Sequence, residues 1–136
     1  MATTKKTDKY FEGIGRRKSA TARVRIYASD KPEFIVNDKE ANEYFSTADL
    51  QNRVRQPLID TELVGNYRVT AKVSGSGVAS QADAITLGMA RALLLVDEDL
   101  RSKLRVNDLL KRDPRKKERK KPGLVKARKS PQWSKR

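Results

Sequence analysis

Residues 111–136 cannot fold on themselves, because they carry 13 basic and 2 acidic residues with few apolar side chains between them. Such a block repels itself and cannot offset the entropy of ordering, so it reads as an arm that becomes ordered on meeting phosphates. The fold must then come from the first 110 residues, which carry 18 basic and 15 acidic residues and are long enough for one modest core. The sequence predicts a disordered lead-in over 1–9, a globular body over 10–110 and an extended basic tail over 111–136. The whole chain has a formal charge of +14, which opposes compaction unless an acidic partner neutralises it. Nucleic acid is the commonest partner of that kind.

The 136 residues include no cysteine and no histidine, which removes disulfides, thiolate metal sites, the usual zinc ligand and the commonest general base. The acids are scattered among lysines and arginines, and no pair sits in an apolar context that would suit acid–base work. No catalytic, metal or cofactor site is therefore expected. No apolar run nears the roughly 18 residues of a membrane span, and the first ten residues lack the apolar stretch of a signal peptide. A cytoplasmic protein without membrane association is the expectation.

Ala22, Val24 and Ile26 alternate with Thr21, Arg23 and Arg25, the period-two pattern of a half-buried strand with one cationic face. A turn at Asp30, Lys31 and Pro32 then leads into Phe34, Ile35 and Val36, which suggests a hairpin. Asn37 with Glu40 fits a helix start ahead of Ala41, Tyr44 and Phe45. Ser46 and Asp49 suit the cap of a second helix, which Pro57 should end. Tyr67, Val69, Ala71 and Val73 give the clearest strand, alternating with Arg68, Thr70 and Lys72. Val78, Ala82, Ile85, Met89, Leu93 and Val96 mark a long amphipathic helix covering the sheet. Three acids at 97–99 should open a final helix towards Leu110, and Asp113 with Pro114 offers one more helix start before Pro122.

Two glycine-rich segments invite a nucleotide-site reading. The segment 74–80 follows a strand and precedes a helix, but Ser80 replaces the third glycine of a dinucleotide fingerprint, and a structural turn is the better reading. The segment 13–19 ends in Lys-Ser without Walker spacing; its Arg16, Arg17 and Lys18 beside Gly13 and Gly15 suit close approach to phosphate oxygens. In the tail, Pro122, Gly123 and Pro131 exclude one continuous basic helix, so the chain should thread, with Trp133 available to stack on an unpaired base.

The segment 13–19 with Ala22, Arg23 and Val24, the run 55–58, the stretch 74–93 with Gln81, Gly88 and Arg91, and the ending Ser134-Lys135-Arg136 together resemble the S9 family of small-subunit ribosomal proteins, in its bacterial form. Ile14, Ser76, Pro122 and Trp133 depart from the usual family pattern. The resemblance implies an α/β two-layer sandwich of the ribosomal S5 domain 2-like type, with a roughly four-stranded sheet and helices on one face. It also implies a structural, non-enzymatic role in the cytoplasmic 30S subunit, with 16S rRNA of the head, P-site tRNA and neighbouring head proteins as partners and no homo-oligomer. On that basis the expected rRNA contacts are Arg16, Arg17, Lys18, Arg23, Arg25, Arg112, Arg115, Arg119, Lys120, Lys121, Lys126, Arg128 and Lys129. Ser134, Lys135 and Arg136 are expected at the tRNA anticodon stem-loop. Fully extended, 26 residues span at most roughly 85 to 94 Å. A basic DNA-binding or nucleoid-type protein would share the charge, but it should show a groove-reading helix or a dimer interface.

Overall fold

The computed structural model describes residues 9–135; most of the expected lead-in and Arg136 lie outside them. Five strands, β1 (Tyr10–Arg17), β2 (Ala20–Ala28), β3 (Phe34–Val36), β4 (Lys39–Glu40) and β5 (Tyr67–Ser74), form one open mixed sheet in the order β1-β2-β5-β3-β4. Its helices are α1 (Ala41–Tyr44), α2 (Ala48–Asp60), α3 (Val78–Val96) and α4 (Arg101–Val106). The β1–β2, β2–β5 and β3–β4 pairs are antiparallel, and β3–β5 is parallel. The expected hairpin between β2 and β3 does not form, because β5 inserts between them. The sheet also gains β1 and β4, neither of which the hydrophobic pattern announces.

β1 escapes the pattern because its inward positions are glycines. A Cβ on Gly15 would lie 1.8 Å from the Ala84 carbonyl oxygen, and one on Gly13 would lie 2.1 Å from that of Gly88. Ala84, Gly88 and Ala92 recur every four residues on one face of α3, so small groups on both sides bring helix and strand into backbone contact. The two glycines thus serve helix–sheet packing and lie buried under α3, away from any approaching phosphate. The outer edge of β1 is partly capped by Arg91, whose Nη1 donates to the Ile14 carbonyl at 2.8 Å, which makes the edge a poorer template for another strand.

The core lies between the sheet and α3, with α2 packed on α3. Ala22, Val24 and Ile26 of β2 and Val69 and Ala71 of β5 meet Ile85, Met89 and Leu93, all essentially buried. Pro57 does not end α2, which runs three residues further to Asp60. A proline removes the donor to the carbonyl four residues back, here that of Arg53. The buried Thr86 hydroxyl of α3 lies 3.0 Å from that carbonyl and 2.9 Å from the Ala82 carbonyl of its own helix, so its one proton is shared between them and gives the freed acceptor a partner. Thr47, not Ser46, is the N-cap residue, and it makes no side-chain cap bond.

Asn37 does not start a helix. With Asp38 it forms the tight β3–β4 turn, both at positive φ (48° and 66°), a conformation that asparagine and aspartate tolerate. The Asn37 side chain extends the ladder beyond β3: its Nδ2 donates to the Val73 carbonyl and its Oδ1 accepts from the Val73 amide, both at 2.9 Å. The final helix stops at Val106, short of Leu110. Asp108 turns to φ 55°, and the Leu109 amide donates back to the Leu104 carbonyl, laying Leu109 and Leu110 against the core. Beyond Leu110 the described residues form neither helix nor strand, so Asp113 and Pro114 open no helix. Among the described residues no helix is long and apolar enough to cross a membrane.

Candidate nucleic-acid interface

Strand alternation sends β2's apolar residues to the core and Thr21, Arg23, Arg25 and Tyr27 to the opposite face. In register beside them stand Tyr10, Glu12, Ile14 and Arg16 of β1 and Arg68, Thr70 and Lys72 of β5. Among the described residues no helix covers this face. It presents five cations, Arg16, Arg23, Arg25, Arg68 and Lys72, against Glu12 as the one acid on these three strands.

Glu12 organises the array. Its Oε1 lies 3.1 Å from Arg23 Nε and its Oε2 3.0 Å from Arg25 Nε, so one carboxylate orients two guanidinium groups. The bond to Glu12, then one to Tyr27, raises the Arg25 pKa further above its ordinary value. The Arg25 guanidinium lies 4.6 Å from the Tyr10 ring centroid, and Arg68 lies at the same distance from Tyr27. The two tyrosine rings are 5.6 Å apart and tilted by 51°. Each guanidinium has five N–H groups in a fixed fork. With Nε of Arg23 and Arg25 turned to Glu12, their remaining donors can address phosphate in the geometry that suits bidentate binding.

Arg16, Arg23 and Arg25, expected from the sequence, come together here, and Lys18 stands at the rim in the β1–β2 turn, exposed and at φ 51°. Arg17 does not join them. It points to the helix side, with Nε 3.5 Å from Asp83 and Nη1 2.9 Å from Asp113, and its side chain is only 15% exposed. Asp83 also meets Arg53, which meets Asp49, so alternating charges run from α2 across α3 and β1 to the root of the tail.

At that root, Arg115 donates to Asp113 through its backbone amide at 2.9 Å and through Nε. The side-chain bond from Arg115, then the amide, holds the Asp113 carboxyl far below the usual carboxylate range. Further on, Glu118 pairs with Lys121 and, at 2.8 Å, with Arg128. Arg112, Arg119, Lys120, Lys126 and Lys129 are exposed and have no ion pair among the described residues. Ser134 and Lys135 are exposed at the far end beside Trp133, which is 81% exposed; Arg136 falls outside the described residues.

Sequence reasoning misses Arg68, Lys72, Tyr10 and Tyr27 as parts of the site. The alternation of Arg68, Thr70 and Lys72 is visible in the sequence, but only the position of β5 beside β2 merges two cationic strand faces into one. Among the described residues no group of histidine, cysteine, aspartate or glutamate is arranged to hold a metal ion. The glycine turn at 74–77 is an internal fastening: a Cβ on Gly75 would lie 2.5 Å from the Ser19 carbonyl oxygen, and Gln81 Nε2 donates to the Gly75 carbonyl at 3.1 Å.

The family model described as ribosomal protein S9/S16 matches residues 15–136, from the buried Gly15 of β1 through the tail. The five cations of the sheet face, a buried helix and a basic arm thus fall within a single match, and the chain belongs to the ribosomal protein S9/S16 family, RNA-binding structural constituents of the small ribosomal subunit in translation.

Proposed function

We propose that the chain binds 16S rRNA in the head of the subunit through two surfaces and reaches the anticodon stem-loop of P-site tRNA with its tail. The observation that carries this reading is the uncovered sheet face on which Arg16, Arg23, Arg25, Arg68 and Lys72 converge. The second surface is the tail, where Arg112, Arg115, Arg119, Lys120, Lys121, Lys126, Arg128 and Lys129 meet phosphates, and Ser134, Lys135 and Arg136 meet the tRNA. Lys18 extends the sheet surface at its rim. Arg17 contributes indirectly, by holding Asp113 and thereby the direction in which the tail leaves the body. Neighbouring head proteins complete the set of partners.

The mechanism follows from counterion release: each phosphate neutralised frees condensed cations, and rRNA supplies the counter-charge that lets the tail order. Phosphate contacts carry no direct base information, so a short cationic tip would serve every P-site tRNA alike. The DNA-binding alternative finds no long cationic helix among the described residues: α3, the longest, carries Arg91 as its only cation, bonded to β1, and α4, with Arg101, Lys103 and Arg105, is six residues long.

Two measurements test the reading. Replacing Arg16, Arg23 and Arg25 with serine should lower the salt slope of binding to a 16S head fragment by roughly 0.7 to 0.9 for each phosphate no longer neutralised; an unchanged slope would remove the sheet face from the interface. Deleting residues 134–136 should leave assembly intact and weaken P-site tRNA binding by about 1 to 2 kcal/mol, as expected for charge-assisted hydrogen bonds. Normal tRNA affinity on such subunits would reduce the tip to a structural end.

A further inference from the structure

One part of the surface has the opposite character to the proposed RNA-binding surfaces. Residues 30–62 hold 8 of the chain's 17 acidic residues and only 4 of its 31 basic ones. That segment forms much of the β3–β4 end of the sheet and all of α2. Between them and residues 64–67 lies a groove of about 600 Å³.

Leu58 and Val69, both buried, contribute to its floor, and Phe34, Ile35 and Tyr67 line it half-buried. Ile59 and Val64 stand in it 48% and 60% exposed. Glu33, Asp38 and Glu40 line it as acids, against Lys39 and Arg55. Arg55 Nη2 donates to Asn42 Oδ1 at 2.6 Å, a neutral partner that fixes its direction and leaves its charge in place.

With three carboxylates against two cations the lining is net negative, which disfavours a phosphate chain. It suits a segment with apolar side chains to fill the groove and cations to meet Glu33, Asp38 and Glu40, because charge complementarity excludes wrong partners and sets register. We propose that this groove docks an extended, cationic, apolar-bearing segment of a neighbouring protein, so that the protein contact borders the RNA contact across β3, where Ile35 and Asp38 line both the groove and the cationic face beside Arg23, Arg25 and Lys72. The proposal rests on the chain's place in the small subunit and adds to it the face and the chemistry of a protein partner.

The test uses assembled small subunits in which Val64 or Ile59 is replaced by the photocrosslinking residue p-benzoylphenylalanine. After irradiation, the crosslinked species is identified by mass spectrometry and nuclease sensitivity. The expected product is a peptide of another subunit protein, net positive and carrying apolar residues. Its yield should fall at least about fivefold when Glu33→Lys and Glu40→Lys are introduced together, since like charges then face each other across the interface. A crosslink to RNA, to an acidic peptide or to this chain itself, a yield indifferent to the charge reversal, or no crosslink at all would each overturn the proposal. The amount of chain co-sedimenting with the subunits is read from the same sample, so a failure of the groove is distinguishable from a failure of incorporation.

Discussion

Arg25 on the sheet is held by the Glu12 carboxylate at 3.0 Å and by the Tyr10 ring at 4.6 Å, on a strand whose inward residues are buried. Arg128 in the tail is held by Glu118 at 2.8 Å, yet its side chain is 85% exposed and its segment has no regular structure. Both are arginines paired with a glutamate, but their energetics differ. The cost of ordering Arg25 is met when the body folds, and the array it belongs to is presented ready-made. On the proposed function the cost of ordering Arg128 falls on binding, since an exposed ion pair contributes little and is screened by salt. The body therefore offers geometry to its partner, and the tail offers reach and adaptability.

The largest effect that separates the two regions should come from glycine. Gly15→Ala puts a methyl group 1.8 Å from the Ala84 carbonyl oxygen, and because the atom it meets is helix backbone, room can be made only by moving β1 off α3. A loss of at least about 2 kcal/mol is expected, or a fall of roughly 8 °C or more in melting temperature for a body of this size. Gly123→Ala in the tail has positive φ but no atom within 4 Å of the added carbon, and the melting temperature of the body should not move. Comparable shifts for both variants would mean that body and tail unfold as one unit, and the contrast between them would collapse.

A smaller effect should follow from Thr86→Val, which leaves the Arg53 carbonyl without the hydroxyl that replaces the donor missing at Pro57. A buried acceptor left unsatisfied costs about 1 to 3 kcal/mol, and this part-buried carbonyl should lie at the lower end. In a Pro57→Ala background the restored amide can serve that carbonyl, so the same substitution should cost less, and a double-mutant cycle by denaturant unfolding measures the difference. Equal costs in both backgrounds would show that Thr86 acts through packing and not by relieving the proline.

That pair also shows where the fold is legible in the sequence. β2 and β5 carry unbroken periodicity and can be read as local patterns to within a residue at each end; α3 is legible over its span, but Val78, counted on its core-facing stripe, is 47% exposed, and residues 84–90 are buried in succession. Pro57 misleads because its compensation comes from another helix, 29 positions away in sequence at Thr86. β1 is invisible because Gly13 and Gly15 leave no apolar side chains to count, although the burial there is complete. Asn37 fits equally well as a helix cap and at a left-handed turn position, and only the register of β3 on β5 decides between them. The interface is half legible for the same reason. Arg23 and Arg25 declare themselves by alternation, whereas the joining of Arg68 and Lys72 to them depends on sheet order, a long-range property that no local pattern carries.

The smallest effect expected lies at the junction between the two regions. Asp113 accepts from the Arg115 side chain and amide and faces Arg17 of the body, and these interactions hold its carboxyl far below the usual range. Because the folded value is depressed, the stabilisation is fully present above the ordinary aspartate value of about 3.9 and is lost only as the pH falls through the lower, folded value. From pH 5 to 8 the root of the tail should therefore be indifferent to pH. Following the Arg115 amide resonance during acidification checks this: it should stay constant through the ordinary carboxylate range and move only in stronger acid. Asp113→Asn should shift that resonance at neutral pH and increase tryptic cleavage after Arg112 and Arg115, with the melting temperature of the body unchanged. A resonance that titrated at the ordinary aspartate value would show that the tail leaves the body unfastened, with Arg17 held on the helix side by Asp83 alone.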